Sequence, residues 1–194
     1  MTLAAYPSAD DALTDLSSSL FDGEGGALRG RMIAAEQLPP GARRLLDHRG
    51  HMTAVLADYW GQMPALRVLA ERFEEETYRR KILLSLPEGG RMVELGVVRL
   101  DLACVNDEVR REILSRRVPL GEILIRRRVL TQVSPKWFLE FDRSSPQLAA
   151  IPDFESDRAY GRIGTIHLDG RPALHLLEIV TAAEGAESQK PLRA

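Results

Sequence analysis

Apolar positions along the chain recur with two different periods, and each change of period marks a change of element. Near the start, Ala12, Leu13, Leu16 and Leu20 fall at helical spacing until the run Asp22 to Gly26 (DGEGG) interrupts them. Pro39-Pro40-Gly41 closes this opening segment. In RRLLDHRGHMTAVLADYW, the residues Leu45, Met52, Val55, Leu56 and Tyr59 predict an amphipathic helix. Gly50 marks where that helix bends or divides. The period then falls to two. Leu66, Val68 and Ala70 predict one strand, and Tyr78, Arg80, Ile82, Leu84 and Leu86 share one parity of the next. The turn Pro87-Glu88-Gly89-Gly90 leads into RMVELGVVRLDL, which alternates again, so an antiparallel hairpin is expected here.

Asn106 is placed to cap a helix through Val109, Ile113 and Leu114, and Pro119-Leu120-Gly121 separates it from a unit beginning at Ile123. Strand signals return from Val129 to Phe141, where Trp137, Leu139 and Phe141 share a parity. After the polar run RSSPQLAAIPDFESD, two further strands, Tyr160 to Leu168 and Ala173 to Val180, flank the turn Asp169-Gly170-Arg171-Pro172. The pattern predicts an α+β fold, an antiparallel sheet with helices packed over one face. Residues 1–40 read as a partly helical N-terminal extension, 41–182 as the domain, and 183–194 as a flexible tail.

Composition narrows the function classes. The 194 residues are 44% hydrophobic and 28% charged, with a formal charge of −2, so nothing favours nucleic acid or an anionic membrane as partner. An anion must therefore be recognised by a local site. A single cysteine, Cys104, excludes an intramolecular disulfide and a cysteine-rich zinc site. His48, His51, His167 and His175 show no HExxH spacing, and there is neither a phosphate-binding glycine loop nor a GxSxG elbow. The opening MTLAAYPSADDALTD carries acids rather than a basic start and an apolar run. No stretch reaches the ~20 apolar residues that span a bilayer. The expected compartment is the cytoplasm.

Two charges stand on apolar strands. Arg80 shares parity with Ile82, Leu84 and Leu86. An inward-facing arginine fits a carboxylate ligand in bidentate fashion, whereas a strand-end arginine beside Arg79 and Lys81 simply reaches for water. Glu178 lies in LHLLEIV, a run that reads as a strand buried on both faces. It is either a functional carboxyl with a perturbed pKa or half of a buried ion pair. At Pro119-Leu120-Gly121, Gly121 permits close backbone approach to a ligand, although a plain interhelical turn explains it equally. Arg126-Arg127-Arg128 reads as a solvated charged face, because adjacent side chains cannot all enter one pocket.

Five segments, in order, resemble the chorismate pyruvate-lyase family: His51-Met52-Thr53; Arg80-Lys81-Ile82-Leu83-Leu84; VPLGEIL from Val118 to Leu124; Val129-Leu130-Thr131; and YGRIGTIHLDGRPALHLLEIV from Tyr160 to Val180. Residues 1–40 lie outside the resemblance. It implies a six-stranded antiparallel sheet with helices over it, enclosing a ligand cavity. It also implies a carbon–oxygen lyase converting chorismate to 4-hydroxybenzoate and pyruvate, without metal or organic cofactor. By that resemblance Arg80 grips the carboxylate, Met52, Leu120 and Gly121 line the pocket, and Glu178 meets the hydroxyl end, making Arg80 and Glu178 the catalytic pair. Gln132 departs from the family, which often has arginine there to hold the pyruvyl carboxylate. The alternative is a non-catalytic domain of the same fold that binds a small aromatic acid as an effector sensor. Regulators of that kind carry a winged helix-turn-helix before the sensor, and the first 45 residues are too short and acidic to supply one. A monomer or a homodimer suits either reading.

Overall fold

The computed structural model describes residues 3–18, 28–142, 148 and 158–180. Among these residues, period-two patterning becomes strand. β1 spans Arg31–Ile33, β2 Ala65–Glu74, β3 Thr77–Ser85, β4 Met92–Asp101, β5 Thr131–Asp142, β6 Arg158–Leu168 and β7 Arg171–Val180. They form one antiparallel sheet in the order β1-β5-β6-β7-β4-β3-β2. Both expected hairpins form. Between β6 and β7, Asp169 (φ 48°) and Gly170 (φ 77°) take the left-handed backbone that a tight hairpin turn requires.

The sheet has seven strands among the described residues, not the six expected from the resemblance. The added strand is β1, three residues long with only Ile33 buried, too short for any alternation to show. The α+β class itself holds.

The helices are α1 (Ala9–Ser18), α2 (Pro40–Leu46), α3 (Met52–Trp60), α4 (Asp107–Leu114) and α5 (Leu120–Arg126). The amphipathic run after Pro39 is thus two helices, divided at residues 47–51 around Gly50. Gly61, at φ 70°, ends α3 in the left-handed form, and the Asn106 side chain accepts a hydrogen bond from the Val109 N–H at 2.9 Å to cap α4.

Strand pleating sends alternate side chains to opposite faces. One face carries Ile82, Leu84, Val98, Leu100, Leu174 and Leu176 beneath α2 to α5. The other carries Leu83, Leu95, Val97, Ile163, Leu177 and Ile179, against which Ala12, Leu13 and Leu16 of α1 pack. Helices therefore lie on both faces, where one was expected. Register shifts at Val68/Ala70, Leu84/Ser85 and Pro135/Trp137 exchange parity within a strand. Val133 consequently belongs to the helix-covered side, while Leu139 and Phe141 belong to the α1 side. The expected flexible tail, 183–194, lies outside the described residues, as does most of the polar loop 143–157.

Candidate functional site

A pocket opens between the face of the sheet beneath α2 to α5 and the starts of α3 and α5, with about 490 Å³ of empty space partly continuous with solvent. Its position follows from the register. Across the sheet, Ile82, Gly96, Glu178 and Arg162 form one row of paired residues; Arg80, Val98, Leu176 and Gly164 form the next. Leu84 and Glu94 pair on the opposite side of the first row. Gly96 leaves the floor low between them: a Cβ there would meet Ile82 Cγ1 at 2.9 Å and Glu94 Oε1 at 3.0 Å. The walls are apolar, from Ile82, Leu84, Val98, Val133, Ile166 and Leu176.

Arg80 is 1% exposed, and both terminal guanidinium nitrogens, Nη1 and Nη2, are buried without a hydrogen-bond partner. Burial pulls its pKa below the ordinary arginine value, with Tyr78 and Glu94 acting in the opposite direction. Its neighbours differ. Arg79, on the opposite parity, bonds the Asp15 carboxylate at 2.9 Å on the α1 side. A guanidinium left unpaired in an apolar pocket carries a desolvation cost that an anionic ligand would remove.

Glu178 is held by Arg162, whose Nε donates to Oε2 at 2.5 Å. Arg162 is itself 1% exposed. Its Nη1 donates to the carbonyls of Leu46 at 2.9 Å and His48 at 2.8 Å, fixing the α2–α3 connection to the sheet, while Nη2 is buried without a partner. Glu94, also in the pocket, has its Oε2 buried and unpartnered. Its pKa lies well above the usual carboxylate range, first through burial and then through repulsion by Glu178, against attraction from Arg162 and Arg80. The histidines nearby stay neutral more readily than usual. Burial lowers both His48 and His51, and the Nε2–H of His48 donates to the Leu45 carbonyl at 2.7 Å.

The expected site residues thus come together: Arg80, Glu178, Met52, Leu120 and Gly121 all line this pocket. Neither His51 nor Pro119 caps its helix with a side chain, so the backbone of the first turns at Met52 and Leu120 faces the ligand space uncapped. Gly121 is needed for close approach, since a Cβ would sit 2.9 Å from Thr53 Oγ1 and 3.1 Å from His51 Cβ. Two pocket charges were not anticipated, Arg162 and Glu94. The signal was there: Arg162 shares parity with Ile166 and Leu168, and Glu94 with Val98 and Leu100. Outside the pocket, Arg126 and Arg127 pair with Glu112, and Gln132 is exposed.

No family model matches the chain, and no curated protein matches it. Among solved structures, PhnF from Mycobacterium smegmatis is similar at TM-score 0.49 and 12% identity, over 68% of this chain and 64% of that one. The possible transcriptional regulator YydK from Bacillus subtilis subsp. subtilis str. 168 is similar at TM-score 0.41 and 10% identity, over 68% and 63%. The chain spans just under two thirds of the length of either structure. These similarities do not show the lyase family. Likeness this remote adds nothing to the architecture, which rests on the strand pairing above.

The expected carbon–oxygen lyase is corrected at this point. One neighbour is described as a possible transcriptional regulator and neither as a lyase. The pocket offers a physical reason in the same direction, because Glu178, the group expected at the reacting end, is engaged by Arg162 at 2.5 Å.

Proposed function

We propose that this protein is a non-catalytic binding domain for a small carboxylic acid, serving as an effector sensor in the cytoplasm. The observation that carries this reading is Arg80, a buried guanidinium with two unpartnered nitrogens in a pocket whose walls are apolar. A carboxylate matches that fork with two parallel hydrogen bonds, and the apolar walls suit a flat hydrocarbon body such as an aromatic ring. The uncapped first turn of α3 adds N–H groups and the positive end of a helix dipole on the same side. No helix among the described residues is long and apolar enough to cross a membrane.

Titration calorimetry with benzoate tests it. Wild type is expected to bind with one site per chain, and Arg80→Ala to lose at least about tenfold in affinity, equivalent to ~1.4 kcal/mol. Equal binding by the two proteins, or no binding by wild type at millimolar benzoate, would sink the proposal.

A further inference from the structure

An arginine that is to receive a ligand carboxylate must first be kept from the protein's own carboxylates. In an antiparallel sheet, residues directly opposite one another point to the same face, with Cβ atoms about 5 Å apart. Arg80 on β3 stands opposite Glu71 on β2. The rest of that row, Val98, Leu176 and Gly164, carries no charge. Glu71 is therefore the carboxylate that the sheet itself presents to Arg80, yet Nη1 and Nη2 of Arg80 are both without a partner. Glu71 is engaged elsewhere. The Tyr78 hydroxyl donates to its Oε2 at 3.0 Å, and Arg116 Nη2 donates to its Oε1.

Arg116 follows Ser115, the C-cap of α4, and its backbone takes the left-handed form at φ 61°. Glycine ordinarily supplies that conformation just past a helix end. An arginine there carries strain that glycine would avoid, and what it adds is the side chain on Glu71. The hold is a weak one. The Arg116 side chain is 55% exposed and that of Glu71 20%, so water and salt screen the pair. A contact between Glu71 and the buried Arg80 would be screened less and would satisfy the two free nitrogens. Resting on the carboxylate-binding reading, we infer that Arg116 is a positioning residue for the pocket. By holding Glu71 away it keeps Arg80 open, and when that hold is lost Glu71 turns onto Arg80 and closes the site to acids. Coupling of this kind is reciprocal. A ligand carboxylate on Arg80 removes the alternative for Glu71 and so strengthens its hold on Arg116. The connection that Arg116 belongs to leads into Pro119 and the first turn of α5, so occupancy of the pocket is felt at the surface between α4 and α5.

A double-mutant cycle tests this, with benzoate titrated by calorimetry into the whole chain as wild type, Arg116→Asn, Glu71→Gln and the double variant. Asparagine tolerates the left-handed backbone, so Arg116→Asn removes the cation without adding strain, and Arg116→Gly serves as a second variant for the same reason. Arg116→Asn is expected to bind about tenfold more weakly, as when a tenth of the molecules keep Arg80 open. Glu71→Gln, whose neutral amide competes poorly with a carboxylate, should bind at least as tightly as wild type. In that background Arg116→Asn should change affinity by less than about twofold. Affinity that is unchanged or higher in Arg116→Asn overturns the inference. So does a loss that persists undiminished beside Glu71→Gln, since Arg116 would then merely support the connection between the helices. Either result with wild-type binding that depends on Arg80 defeats this inference alone; absence of benzoate binding by wild type defeats the underlying reading.

Discussion

A buried arginine whose two terminal nitrogens lack partners is destabilising in the protein without ligand, which on the proposed reading is a cost carried for ligand. Replacing it with an apolar side chain of similar length removes that cost. Arg80→Met is expected to unfold in urea at a higher midpoint than wild type without ligand, by roughly 1–3 kcal/mol, while losing acid binding. An unchanged or lower stability would mean that Arg80 is satisfied in a way the unpartnered nitrogens do not show. Glu94 gives a prediction in pH. Its folded pKa is raised above the unfolded value near 4.5, so the fold holds a proton that the unfolded chain releases. The fold is thus unpenalised below about pH 4.5 and loses stability as pH rises towards the folded pKa. Glu94→Gln abolishes that dependence, and its stability advantage over wild type should grow from about pH 4.5 upward in denaturation series across pH. Much of this was legible in the sequence. Arg80 and Glu178 stand out because each interrupts an apolar run. Glu94 and Arg162 sit beside the floor glycines Gly96 and Gly164, where the local pattern reads as irregular, and only the pairing of β4, β6 and β7 brings them to the same place.

Elements were legible where a local interaction defines them. The Asp169-Gly170 turn and the Asn106 cap are set by residues in direct contact, and both form as expected. The register shifts were not legible, because a bulge is decided by the partner strand and exchanges the inward parity midway. Trp137, Leu139 and Phe141 therefore serve the α1 side rather than the pocket. The role of α1 was also beyond the pattern, which shows an amphipathic helix but not what its apolar stripe covers. Leu16 is fully buried against the sheet, so Leu16→Ala should cost about 2–5 kcal/mol in urea unfolding. A loss below about 0.5 kcal/mol, the range of exposed substitutions, would show that α1 does not dock on the sheet.

At the scale of the whole molecule, one sheet serves two independent purposes. The face beneath α2 to α5 holds the pocket. On the other, Asp15 of α1 accepts from Arg79 at 2.9 Å, from Arg99 at 3.1 Å and from the Tyr6 hydroxyl, while the Tyr6 ring lies tilted against His175. Burial and the Asp15 contact push Tyr6 up to about 12, so its hydroxyl keeps its proton. Burial alone would raise the pKa of Asp15, but the hydrogen bonds from Arg79 and Tyr6 prevail and lower it below 3.8. Asp15 therefore contributes stability that is present above about pH 4 and is lost as pH falls through its folded value. The two faces share strands but not side-chain partners, and effects at such sites add. Asp15→Asn should lower the melting temperature at pH 7, with the difference from wild type closing in acid. A bound acid at a hundred times its Kd should raise stability by ~2.7 kcal/mol in wild type and Asp15→Asn alike, and leave Arg80→Ala unshifted. A ligand shift that shrinks in Asp15→Asn would mean that the α1 face and the pocket are energetically coupled through the sheet, and the two purposes would no longer be separable.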